Sequence, residues 1–184
     1  GVTSAVAAPA YAGIPLTHRQ FASCVTFITG HEDPEKTESM LNWQALANTG
    51  GTLVFFMGVR NLPNIVEKLR QSGKDPKTPA ALVRWGTTAG QQTVSGTLET
   101  ICGKVTAAGL KAPCIIVIGE VVSLREKMQW FENRPLFGRR IVVTRARKQA
   151  SDLLERLSQM GAACLEMPVI EIEPAKDLSA LDAA

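Results

Sequence analysis

No stretch of this chain approaches the ~18 consecutive apolar residues that a membrane-spanning helix needs, and no signal-peptide pattern opens it. Neither a GxGxxG run nor a P-loop occurs, which disfavours the common nucleotide-binding α/β proteins. The four cysteines, Cys24, Cys102, Cys114 and Cys164, show no CxxC spacing, so neither a zinc knuckle nor a redox pair is expected. Cys114 and Cys164 sit in apolar runs and read as small core residues of a reduced, cytoplasmic protein. Histidine is scarce. His31-Glu32-Asp33 stands in a Pro-containing loop, and adjacent residues make poor ligand geometry, so no metal is expected. The net charge of +3 is too small to argue for nucleic acid. Basic residues do cluster between Arg125 and Lys148, a run that fits a solvated face or linker better than a site for an acidic ligand.

What remains is the patterning of an α/β protein. Thr52–Phe56 (TLVFF) is apolar, β-branched and aromatic without charge, which suits a strand buried on both faces. It stops at Met57-Gly58, and Leu62 to Gly73 reads as a helix with Ile65, Val66 and Leu69 on one side. Ligands in open α/β sheets sit at the carboxyl ends of strands. Met57 would offer a soft surface there and Gly58 a close backbone. The competing reading is a methionine that packs the sheet end.

Taken in order, Thr3 or Ser4 is a plausible N-cap for an Ala-rich helix whose amino end is a ready polar site. Gly13–Leu16 reads as a turn into a short strand, and Ser23–Thr29 as a strand. Thr17-His18-Arg19 places polar groups together, and a His-Arg pair is a reasonable carboxylate clamp. Leu41–Ala47 is a helical turn around Trp43. Ala80–Trp85 is a strand ending in Gly86-Thr87-Thr88, and Gln91–Gly96 alternates as an antiparallel neighbour. Thr97–Ala108 reads as a helix. Cys114–Gly119 has no polar side chain and belongs at the centre of its sheet. Ser123–Phe131 is expected to be helical, with Leu124, Met128 and Trp130-Phe131 packed inward.

Asn133–Gly138 breaks the chain. After it, Arg140–Thr144 reads as a buried strand, Ala146–Met160 as an amphipathic helix and Cys164–Ile172 as a further strand. That β-α-β is too short to bury a full core. The expected division is residues 1–132, a linker at 133–138, and a segment at 139–184. The chain opens on Gly1 rather than Met and stops at Leu178–Ala184 as another helix seems to start. Both ends read as cut, so a longer polypeptide is expected.

Several motifs stand in one order: GVTSA, GIPLTHR, TGHE, LVFFMGV, WGTT, and IIVIGEVVSLR followed by WF. Together, over Gly1–Phe131, they resemble the C-terminal half of the S-adenosylmethionine-dependent uroporphyrinogen-III C-methyltransferases, of the tetrapyrrole (precorrin) methylase superfamily. From Phe137, FGRRIVVTRARKQASDLLERLSQMGA resembles the beginning of uroporphyrinogen-III synthases, and a fusion in this order is a known arrangement. The resemblance implies an α/β domain, a mixed sheet flanked by helices, followed by the first β-α-β of a synthase-like domain.

It also implies a homodimeric cytoplasmic enzyme without nucleic-acid or membrane partners. Such an enzyme transfers methyl groups from S-adenosyl-L-methionine to C2 and C7 of uroporphyrinogen III. The products are precorrin-2, on the way to sirohaem and cobalamin, and S-adenosyl-L-homocysteine. By the same resemblance Thr3, Ser4, Met57 and Gly86 contact the donor, Cys114 lies beside its adenosyl moiety, and His18 and Arg19 face substrate carboxylates. Arg145 and Arg147, past the later strand end, are further candidates for carboxylates. The family's proposed acid and base belong to its N-terminal part, so no catalytic residue is assigned and the chain alone is expected to be inactive. Competing readings are a methylase of a later precorrin or of diphthine precursors, and a non-catalytic dimerisation and cofactor-cradling module. LTHR and WGTT favour the uroporphyrinogen enzyme.

Overall fold

The computed structural model describes residues 1–30, 40–145 and 147–170, with the backbone alone for 147–150. The chain divides into two compact units, Gly1–Arg134 and Pro135–Ala184.

The first unit is built on a five-stranded sheet of order β1-β2-β5-β3-β4. Its strands are β1 (Val25–Thr29), β2 (Thr52–Phe56), β3 (Pro79–Arg84), β4 (Gln92–Thr97) and β5 (Cys114–Ile118). β1 and β2 are parallel, β5 runs antiparallel to both β2 and β3, and β4 is antiparallel to β3. β1, β2 and β3 therefore finish at the same edge at which β4 and β5 begin. The all-apolar β5 is central, as its lack of polar side chains predicts.

Alternation sorts the side chains into two layers. Leu53, Phe55, Leu82 and Ile116 face α2 (Trp43–Asn48), α3 (Leu62–Gln71) and α4 (Ile101–Ala107). Val54, Ala81, Val83, Ile115 and Val117 face α1 (Ser4–Tyr11), which presents Ala5 and Ala8. Leu53, Val54 and Phe55 are each 0% exposed. A fully buried side chain of this kind contributes about 1.5–3 kcal/mol, so the short β2 is a large part of what holds the layers together.

Local expectation and structure part in several places. Gly13–Leu16 forms no strand; its only ladder contact nearby is the isolated His18–Ala22 bridge. Gly13 has φ +73, and Pro15 brings no N–H to a ladder. Ser123–Phe131 is not one helix. Glu120–Leu124 is a 3-10 turn, α5 spans only Arg125–Met128, and the chain goes extended at Gln129. Phe131 packs inward against Tyr11, ring centroids 4.8 Å apart, whereas Met128 and Trp130 are about half exposed.

In the second unit β6 (Arg140–Val143) and β7 (Ala163–Glu166) are parallel and are joined by α6 (Arg147–Gln159). β6 is not a buried strand. Val143 is buried but Val142 is 49% exposed, because two strands and one helix cannot cover both sheet faces. Cys164 is correspondingly only half-buried rather than core, and β7 stops at Glu166, short of the expected strand. Residues 171–184 lie outside the described residues, as does the His31-Glu32-Asp33 run.

Candidate functional site

Two turns leave the shared sheet edge under backbone strain. Met57 follows β2 with φ +53; Trp85 and Thr87 follow β3 with φ +48 and +73. Among the described residues these are the non-glycine positions with left-handed φ, and all stand at this one edge. Such conformations cost on the order of 1–3 kcal/mol each and persist where neighbours over-determine them. Around the second turn the neighbours are visible. The Thr87 N–H donates to Gln91 Oε1 at 2.9 Å, and Thr88 Oγ1 donates to the Trp85 carbonyl at 2.8 Å. The Arg84 guanidinium carbon lies 3.8 Å from the Trp85 ring centroid.

Helix α1 reaches the same edge with its amino end. A Cβ built on Gly86 would stand 2.5 Å from Ala8 Cβ and 2.8 Å from Ala8 Cα, so the helix crosses the end of β3 at a distance only glycine permits. Thr3 is the N-cap, extended at φ −61 and ψ 141, with Oγ1 accepting from the Ala5 N–H at 3.4 Å. Its hydroxyl is thus engaged with the helix end. Ser4, one residue on, is exposed, and its hydroxyl has no hydrogen bond among the described residues.

Between these elements lie two adjoining clefts of about 320 and 400 Å³. They share Ser4, Pro113, Cys114 and Ile115. The first continues past Val2 and Ala8 to Trp85, Gly86 and Thr87; the second past Phe56 to Met57, Val59 and Arg60. The lining is mostly apolar with a few polar groups at fixed points, the usual make-up of a small-molecule site. Burial pushes the Cys114 thiol up to about 11, against a smaller opposing pull from Arg84, so it is neutral at pH 7. Its Sγ donates to the Lys111 carbonyl.

The structure brings Thr3, Ser4, Met57, Gly86 and Cys114 to this edge. It does not bring His18 and Arg19 there. They stand in the loop between α1 and β1, with the His18 ring stacked on Phe21 at 5.0 Å, and neither lines the clefts. Arg145 is exposed in the second unit, and the Arg147 side chain lies outside the described residues. No group of metal-ligating side chains occurs among the described residues. Trp85 and Thr87, given no individual role by sequence but part of the WGTT motif, and Arg60, which sequence did not mark, also line the clefts. Arg60 has only its position shortly after a strand end as a signal.

Comparison with known proteins shows the family. Residues 1–102 match the family "Tetrapyrrole (Corrin/Porphyrin) Methylases". The chain is 44% identical over 168 residues to the uroporphyrinogen-III C-methyltransferase of Bacillus subtilis, covering 91% of this chain and 35% of that protein. It is 52% identical over 126 residues to the S-adenosyl-L-methionine-dependent uroporphyrinogen III methyltransferase of Methanosarcina barkeri, covering 68% of this chain and 49% of that protein. The chain therefore spans about a third to a half of the length of these relatives. A crystal structure of the Thermus thermophilus uroporphyrin-III C-methyltransferase complexed with S-adenosylhomocysteine superposes with TM-score 0.54 at 29% identity, covering 67% of this chain and 52% of that one.

Proposed function

The chain belongs to the tetrapyrrole (corrin/porphyrin) methylase family, and from that membership we propose that its edge clefts hold S-adenosyl-L-methionine, for methylation of uroporphyrinogen III at C2 and C7. The observation that carries this reading is convergence. Ser4, Met57, Gly86 and Cys114 are far apart in sequence, yet they line one pair of adjoining clefts, with Thr3 capping the helix that carries Ser4.

The residues present fit the donor. Trp85, Val2 and Pro113 give apolar surface for a flat ring, and the free Ser4 hydroxyl at the amino end of α1 suits a polar group. Met57, 65% exposed, is a polarisable side chain beside the second cleft rather than a core residue.

The bound donor supplies an electrophilic methyl group on a sulfonium. This chain's residues bind and orient it, holding one wall dry while the strained turns fix the wall's shape. C-methylation also requires the tetrapyrrole to give up a proton. The described lining offers Arg60, a cation that can pair with a carboxylate, and the neutral Cys114 thiol. Neither is a base at pH 7, so turnover is assigned to the longer protein rather than to these residues alone. On the same reading His18 and Arg19 meet substrate carboxylates, the protein works as a homodimer, and residues 139–184 open a uroporphyrinogen-III synthase-like domain in which Arg145 contacts a carboxylate.

The natural full-length protein, given uroporphyrinogen III and methyl-labelled S-adenosylmethionine, is expected to form the dimethylated product precorrin-2. Label transferred only to a later precorrin, or to no tetrapyrrole, would contradict the proposal.

A further inference from the structure

We propose that Gln91, clamped by Glu132, is a positioning residue for the Trp85–Thr87 turn and thereby sets how tightly the edge clefts hold their donor. The affinity half of this rests on the reading of those clefts as the donor site; the positioning half does not.

Gln91 is a polar side chain only 4% exposed, and both ends of its amide are spent. Oε1 accepts the Thr87 N–H at 2.9 Å, and Nε2 donates to Glu132 Oε1 at 2.7 Å. Flipping the amide would set an NH₂ against the Thr87 N–H and an oxygen against the carboxylate, so its orientation is fixed by its partners. Glu132 is itself held. Its Oε1 also accepts from Thr93 Oγ1 at 2.6 Å, and its Oε2 pairs with the Arg125 guanidinium. The two side chains of that pair are 11% and 16% exposed. Arg125 donates a further hydrogen bond to the Ala12 carbonyl, at the carboxyl end of α1.

The network thus has two outputs. Through Gln91 it holds Thr87 at φ +73, a conformation a threonine adopts only when something outside the turn imposes it. Through Arg125 it ties down the far end of the helix whose amino end carries Ser4. Thr87 and Ser4 both line the first cleft. Glu132 lies 41 residues from Gln91 and touches neither cleft, so its influence on binding passes through the groups it holds.

The test uses this chain and the variants Gln91→Ala and Glu132→Gln, the second retaining an acceptor for Gln91 and Thr93 while losing the ion pair. Amide hydrogen exchange without ligand is expected to rise about tenfold or more at Thr87 in Gln91→Ala, with Ile116 and Val117 still protected, and less in Glu132→Gln. Affinity for S-adenosylhomocysteine is expected to fall about fivefold in Gln91→Ala, the scale of one lost ordering contact. Thr87 exchange that is unchanged, or that rises only in step with Ile116 and Val117, overturns the positioning role. Should Gln91→Ala fail to fold, Glu132→Gln decides by the same comparison. If the unaltered chain takes up no S-adenosylhomocysteine, the affinity half falls together with the donor reading, while Thr87 exchange still decides the positioning half.

Discussion

Replacing Gly86 by alanine is expected to lower the stability of the first unit by about 2–3 kcal/mol and to weaken S-adenosylhomocysteine binding about tenfold. The cause is space. The new methyl would meet both the Cβ and the backbone Cα of Ala8, at 2.5 and 2.8 Å, and a backbone atom cannot rotate away. Helix α1 must shift, and with it Ser4 and the wall common to both clefts. The double variant Gly86→Ala with Ala8→Gly removes the worse of the two contacts and leaves the other. It should therefore recover part of the stability and part of the affinity. Urea unfolding and calorimetric titration read the two effects separately. Unchanged stability in Gly86→Ala would mean that α1 does not rest on the end of β3.

Substitution at Met57 is expected to move stability and affinity in different ways. At φ +53 a glycine has no Cβ penalty, so Met57→Gly should stabilise by about 1 kcal/mol, while the β-branched Met57→Val should destabilise by about 1–2 kcal/mol. Both should weaken donor binding about tenfold to thirtyfold, because both remove the side chain that borders the second cleft. A methionine that merely packed the sheet end would give the reverse pattern: a loss of stability in both variants and no change in affinity. Its 65% exposure already speaks against that role. A strained residue whose relief costs function is the trade-off expected of a binding site.

The strands were legible where burial alone decides them. TLVFF has no charge and CIIVI no polar side chain, and both are buried on both faces, while the alternating QTVSGT lies at the antiparallel edge. Legibility failed where a distant partner intervenes. The end of α5 depends on Tyr11, against which Trp130 and Phe131 fold back at 5.2 and 4.8 Å, and nothing near Met128 announces that contact. Of the cleft lining, Met57 and Gly86 were legible as strand-end positions, because a strand end beside a glycine is a local signal. Trp85 and Thr87 adopt left-handed φ without being glycine or asparagine themselves, and the Gln91–Glu132 link joins residues that sequence reads as ordinary solvent-facing polar side chains. His18 and Arg19, read as facing substrate rather than donor, stand outside the clefts in the loop between α1 and β1.

The central claim, that one sheet edge gathers the donor site, is tested most directly by titrating the isotopically labelled chain with S-adenosylhomocysteine and following backbone amides by NMR. The account predicts saturable binding with Kd of about 0.1–1 mM, the weak affinity of a single wall. Shifts should concentrate at Ser4, Met57-Gly58, Gly86-Thr87 and Cys114-Ile115, with Ile141–Val143 and Ala163–Glu166 unmoved. Shifts centred on other surfaces, or none at several times the upper end of that range, would contradict it.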